Sequence, residues 1–245
     1  MNYDEAKREF IKTIEKLSYK YQKWEIFSDF CNMAAISLRQ PLERSEELER
    51  EYLNIAKKYA KAEVDIFPKL LSYIIFALTD RFGDFLGECF HLLELGNKYK
   101  GQFFTPYHIS KFMTQIIGER PGEFELLSEP ACGSGGMIIA RAETLMSADV
   151  NYQQNMIVQA VDVDILCIYM CYIQLTLLHI PAEVIHGNSL SLEIWSIWRT
   201  PAYYMSNAHN ILHKKVKMID NVEVENKSLI YTQEQINTFE QGRLF

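Results

Sequence analysis

Glu129-Pro130-Ala131-Cys132-Gly133-Ser134-Gly135-Gly136-Met137 lies between a short, mostly apolar run at residues 124–127 and a helix-like run at residues 137–145. Strand, glycine-rich turn, helix is the order that brings backbone N–H groups and a helix N-terminus close to a bound ligand. Gly133, Gly135 and Gly136 lack a Cβ, which leaves steric room for a tight turn and a close approach. A glycine-rich turn by itself is as often a plain turn as a ligand loop. The rest of the chain has to decide.

Length and composition set the bounds. The 245 residues are enough for one large domain or two small ones, with ample chain to bury a core. Hydrophobic residues make up 48% and charged residues 23%, which places the chain among globular proteins rather than disordered ones. The formal net charge of −7 argues against a broad basic surface and against strong non-specific binding of nucleic acid by this chain alone. Residues 70–78 form the longest apolar run, interrupted by Ser72 and too short to cross a bilayer, so no membrane partner is expected. Five cysteines, an odd number, and no signal-peptide pattern point to free thiols in a reducing cytoplasm. Cys167 and Cys171 have the i,i+4 spacing of a metal pair, but no second pair of ligands matches them, so no metal site is expected.

Residues 1–95 read as helical throughout. Phe10, Ile14, Leu17 and Tyr21 recur at helical spacing, and Trp24, Phe27, Cys31 and Ala34 continue the pattern up to Pro41. Residues 42–60 form a charged amphipathic segment with Leu48, Tyr52, Ile55 and Tyr59 on its apolar side. Phe67-Pro68 opens a more hydrophobic helix over residues 69–79. No strand pattern precedes Gly96, so this part is a helical domain, either a packing unit or a docking surface. Residues 96–214 then form the α/β domain and residues 215–245 a hairpin or tail.

Two blocks of sequence carry a resemblance. Pro130-Ala131-Cys132-Gly133-Ser134-Gly135-Gly136 is similar to the S-adenosylmethionine-binding motif of adenine-N6 DNA methyltransferases, especially the modification subunits of type I restriction systems. Gly101-Gln102-Phe103-Phe104-Thr105-Pro106 resembles that family's Gly-Gln-Phe-Tyr-Thr-Pro block, also upstream of the glycine loop, and residues 81–87 resemble the segment before it. The resemblance covers residues 83–190. It implies an α/β, Rossmann-like methyltransferase domain, and S-adenosylmethionine as cofactor. Phe103, Thr105 and Pro106 would lie against the methionine end of that cofactor, while Glu129, Ala131, Gly133, Ser134 and Gly135 would form the loop around it. A helix is expected over residues 107–117, with Pro106 at its first turn. The strand at residues 156–161 ends at Asp162, the candidate for the ribose hydroxyls, while Asp164 caps the helix over residues 165–178. A third strand at residues 182–186 leads to Gly187-Asn188-Ser189-Leu190, where Asn188 stands in place of the family's acidic contact to the cofactor adenine. An amide can both accept from the exocyclic amine and donate to a ring nitrogen.

The family's target-base motif, Asn-Pro-Pro-Tyr/Phe, is not found after Leu190. The nearest pieces are Thr200-Pro201-Ala202-Tyr203-Tyr204, read as a loop entering a helix, and Asn207-Ala208-His209-Asn210. With 55 residues left after Leu190 (245 minus 190), there is too little chain for four more α/β units, so the sheet is expected to be truncated. Its first strand would then have a bare edge. A hairpin within residues 216–231 or dimerisation of the chain would cover that edge. Three functions stay open: a DNA adenine-N6 methyltransferase of a restriction-modification or mobile-DNA system, a degenerate domain that binds cofactor or partner without transferring methyl, or a structural remnant with an empty pocket in which the helical region does the work. DNA would be reached through a partner, such as a specificity or restriction subunit. Gln241-Gly242-Arg243-Leu244-Phe245 is also similar to the peptide by which bacterial proteins bind the sliding clamp. Cys132, inside the loop, is a packing residue rather than a nucleophile.

Overall fold

The computed structural model describes residues 1–95, 104–118 and 124–206. Phe103, the 215–245 hairpin or tail and the clamp-like C-terminus lie outside these residues.

Helices α1 (Tyr3–Leu17) and α2 (Lys23–Arg39) are separated by a turn, where the sequence pattern had suggested continuity. Asn2 opens α1 with a capping box: its side chain accepts from Glu5 N, and the Glu5 carboxylate accepts from Asn2 N. Helices α3 (Glu46–Ala56), α4 (Lys61–Val64), α5 (Ile66–Asp80) and α6 (Phe85–Leu92) complete the N-terminal part. Phe10 is its centre, meeting Phe27, Phe30 and Phe85 edge to face. Trp24 departs from the helical pattern read in the sequence: it is half exposed in the first turn of α2.

The α/β part runs α7 (Tyr107–Ile117), β1 (Glu125–Glu129), α8 (Gly136–Ser147), α9 (Tyr152–Asn155), β2 (Met156–Asp162), α10 (Ile165–Leu177), β3 (Ala182–Asn188), β4 (Glu193–Arg199) and α11 (Pro201–Met205). The sheet order is β1-β2-β3-β4, the first three strands parallel and β4 antiparallel to β3. Alternation sorts the side chains. Met156, Val158, Ala160, Ala182 and Val184 face the main core, while Ile157 faces Tyr203 of α11 with Phe124 and Leu126. Helix α10 is buried along almost its whole length and packs on α2 and α6, so one core runs through the helical and α/β parts.

The mixed α/β class is as expected, and β1, β2, β3, α7, α8 and α10 fall where the pattern placed them. β4 was not expected. It follows β3 through a tight turn and so needs no crossover helix, which is how a fourth strand fits where another α/β unit would not. Thr200-Pro201 therefore does follow a strand, and it opens α11 as a helix start with Thr200 as N-cap. Among the described residues β1 has a partner on one side only.

Candidate functional site

The glycine loop is tied to β2 at one end and closed by a turn of its own at the other. Cys132 N donates to Val161 O at 2.8 Å, and Gly135 N closes a turn onto Cys132 O at 2.8 Å. Gly133 (φ +52°) and Gly135 (φ +94°) are left-handed, which glycine adopts without strain. A Cβ at Gly133 would come within 2.9 Å of the Phe104 ring, and one at Gly135 within 3.1 Å of Cys171 Sγ. At these two positions glycine is required both by the left-handed turn, as expected, and by the protein's own side chains, which fill the space a Cβ would take.

Asp162, at the end of β2, accepts from Gly133 N at 2.9 Å through Oδ2 and from Asp164 N at 2.9 Å through Oδ1. It thus fixes the loop and the turn into α10 together, while Asp164 caps α10 by accepting from Leu166 N at 2.9 Å. Glu129 folds back to accept from Ala131 N at 3.2 Å. Burial pushes both the Glu129 and Asp162 carboxyls above their ordinary range; repulsion from Asp162 adds to the rise at Glu129.

A buried polar network, missed in the sequence, locks the loop to the helical part. Asp84, the N-cap of α6, accepts from Ser134 Oγ at 2.5 Å, Gln174 Nε2 at 2.9 Å and Gly87 N at 3.0 Å. Gln174 Nε2 also donates to Ser134 O at 2.8 Å, and its Oε1 accepts from Leu86 N at 3.0 Å. Burial raises the Asp84 carboxyl, and these donors oppose the rise. The available signal was Gln174 itself, an amide in the middle of an otherwise apolar helix, since a buried polar group there must have partners.

Above the loop is a cleft of about 170 Å³. Thr105, Glu129, Ala131, Gly133 and Ser134 of the expected set line it, together with Asp84, Phe104 and Ser110. Pro106 stands just before α7 as its N-cap, and Gly135 is the N-cap of α8. Asp162 does not line the cleft but stands behind it, bonded to Gly133, which does. Asn188 is placed differently: at the end of β3, its Oδ1 accepts from Leu190 N at 2.9 Å and Ser191 N at 3.3 Å, so it turns the chain toward β4. Ser110 is fully buried on α7, and its hydroxyl has no hydrogen-bond partner among the described residues. Cys132 is buried; its contact with Cys171 and its burial hold the thiol well above its usual range, the protonated and unreactive form. No cluster of three or more His, Cys, Asp or Glu suited to a metal occurs among the described residues. No helix among them is long and apolar enough to cross a membrane.

Residues 79–242 match the family described as N-6 DNA methylase, well over half of the chain. The chain belongs to that family. Its match starts near the end of α5 and takes in the Asp84 network, the glycine loop and all four strands of the described residues. Two solved structures are similar. One is a class I S-adenosylmethionine-dependent methyltransferase from Listeria monocytogenes: identity is 16%, TM-score 0.42, and 75% of this chain and 53% of that one are covered. The other is the type I restriction-modification system methyltransferase subunit from Streptococcus thermophilus: identity is 12%, TM-score 0.40, and 75% of this chain and 58% of that one are covered. The present chain thus spans little more than half the length of either. No curated protein matches it.

Proposed function

We propose that the cleft holds S-adenosylmethionine and that the chain serves adenine-N6 methylation of DNA in a restriction-modification or mobile-DNA system. The observation that carries this reading is the meeting, within one N-6 DNA methylase domain, of the Thr105 turn, the glycine loop and the Asp162 carboxylate. The chemistry of the donor set fits the cofactor. Glu129 and Asp84 line the cleft as desolvated carboxyls with Asp162 behind the loop, and a ligand with a sulfonium and an ammonium group would supply the missing positive charge. Ser110, whose buried hydroxyl has no partner among the described residues, also lines the cleft. Bound there, the cofactor supplies an electrophilic methyl group.

This chain's own residues would bind and orient. Asp162 keeps lone pairs for ribose hydroxyls after accepting from Gly133 N and Asp164 N, because each carboxylate oxygen can accept twice. Glu129 would face the ammonium group, and the N-terminus of α8 presents backbone N–H groups beside it. A partner supplying phosphate contacts is in keeping with the net charge of −7. A second reading, a domain that binds cofactor without transferring methyl, is favoured by one observation. After β3 the chain turns back into antiparallel β4, and no Asn-Pro-Pro-Tyr/Phe follows either strand.

Calorimetric titration with S-adenosylmethionine tests the cleft. Saturable binding is expected for the native chain, with a loss of about tenfold or more in Asp162→Asn, which keeps the size of the side chain but not its charge. A folded protein that binds no cofactor would sink both readings. Transfer of labelled methyl from the cofactor to duplex DNA then separates the two.

A further inference from the structure

A hydroxyl inside a helix ordinarily finds a partner in the preceding turn. Those of Ser37, Ser72, Thr79, Thr144 and Ser147 return to a carbonyl three or four residues back, at 2.7–2.9 Å. Thr114, one turn beyond Ser110 on α7, bonds Lys111 O at 3.0 Å and the Thr144 hydroxyl at 2.9 Å. Ser110 does neither. It is fully buried, and its hydroxyl meets no partner among the described residues, not even the Pro106 carbonyl that its own backbone N–H bonds at 3.2 Å. A buried hydroxyl left in that condition costs free energy that a hydrogen in its place would not. The place of Ser110, in the lining of the cleft over the glycine loop, points to what offsets the cost.

The chemistry of that lining narrows the partner. Its charged groups, Asp84 and Glu129, are both acidic, and no Lys or Arg lines the cleft among the described residues. Of its three side-chain hydroxyls, that of Thr105 belongs to an exposed residue, and that of Ser134 is committed to Asp84 at 2.5 Å. Ser110 is the buried one left uncommitted. A ligand end that bears both an ammonium and a carboxylate matches this set. The carboxyls serve the ammonium, while the ligand's carboxylate needs an uncharged donor, which a hydroxyl can be. Position agrees. Asp162 bonds Gly133, Asp84 bonds Ser134 one residue on, and Ser110 belongs to α7, which packs on α8 after the loop. A ligand with its ribose at Asp162 that follows the loop toward α8 brings its other end to Asp84 and Ser110.

We propose that the Ser110 hydroxyl is reserved for the amino-acid end of S-adenosylmethionine and gains its hydrogen bond when that ligand enters. The inference rests on the cleft being the cofactor site. Ser110 has no exposed surface, and the cleft, at about 170 Å³, is smaller than the roughly 300 Å³ at which small-molecule sites begin. Entry of the ligand therefore widens the cleft until Ser110 is reached, and the new bond helps to offset that opening.

Ser110→Ala tests this through two effects of opposite sign. Loss of an unpaired buried hydroxyl should raise the melting temperature of the ligand-free chain by about 2–4 °C. Ser134→Ala, which removes a hydroxyl that has its partner, should lower it. In calorimetric titration, Ser110→Ala should bind S-adenosylmethionine about tenfold more weakly than the native chain. Its affinity for methylthioadenosine, which keeps the adenosine and the sulfur but has no amino-acid end, should change by less than about twofold. A lowered melting temperature in Ser110→Ala would overturn the proposal, because the hydroxyl would then have a partner inside the protein. So would an affinity for S-adenosylmethionine that stays the same, or one that falls equally for both ligands. A native chain that binds neither ligand would instead remove the cofactor reading itself, and this inference with it.

Discussion

Asp84 sits where a carboxylate is costly, fully enclosed at the start of α6, and three donors make it tolerable. Because burial raises its folded-state pKa above the ordinary 3.8, its contribution to stability is full below pH 3.8 and is lost as pH rises through the raised value. Gln174→Leu removes one donor from Asp84 and one from Ser134 O, and leaves Leu86 N unpaired. We expect it to cost about 3 kcal/mol near neutral pH. The Asp84 pKa should rise further in the variant, so its deficit against the native chain should widen as pH increases. Chemical denaturation between pH 5 and 8 measures both, and a small deficit that does not vary with pH would show that the network is not what holds the loop. At this scale the sequence was legible unevenly. The acidic strand end at Asp162 announced itself through its position after an apolar strand. Asp84 did not, because its three donors come from the glycine loop, from its own helix and from a residue 90 positions away.

The element that escaped the sequence, β4, shows why local pattern is insufficient at a sheet edge. Glu193-Ile194-Trp195-Ser196-Ile197-Trp198-Arg199 alternates only loosely, and its order depends on cross-strand partners. Trp198 packs on Tyr169 and Tyr172 and lies under the Arg39 guanidinium, and Arg199 pairs with Glu183 at 2.9 Å. None of these partners is visible from within the segment. β2 and β3 were legible because each is a buried apolar run ending in a turn, β1, only partly buried, because it leads straight into the glycine loop, and α7 and α8 because Pro106 and the glycines mark their starts. Thr200 is the pin that holds β4 to β3. Its fully buried hydroxyl donates to Ile180 O at 2.7 Å, accepts from Ala182 N at 3.0 Å, and caps α11 through Tyr203 N. Thr200→Val keeps the shape and removes all three bonds. It should cost about 2–4 kcal/mol in denaturant unfolding. An unchanged midpoint would mean that β4 is held by its aromatic packing alone.

At the scale of the whole molecule, charge is the deciding quantity. The 25 basic and 32 acidic residues leave a formal charge of −7, and the candidate cleft itself is lined by carboxylates, so the long-range field repels a polyanion. Non-specific affinity for DNA comes almost wholly from phosphate contacts that release counterions, and a net acidic chain makes few of them. Much of the basic charge is also committed within the fold: Arg141 to Glu125, Arg199 to Glu183, Lys111 to Glu143 and Lys58 to Asp29. A member of a DNA methylase family with this balance should bind duplex DNA by itself no tighter than about 10⁻⁶ M near physiological salt. Its log–log salt slope should have a magnitude of only about 1–3, the signature of one to three neutralised phosphates. Fluorescence anisotropy of a labelled duplex between about 50 and 200 mM salt gives both quantities. Nanomolar binding with a steep slope would place a basic surface in the segments outside the described residues, and would remove the need for a partner that carries the DNA.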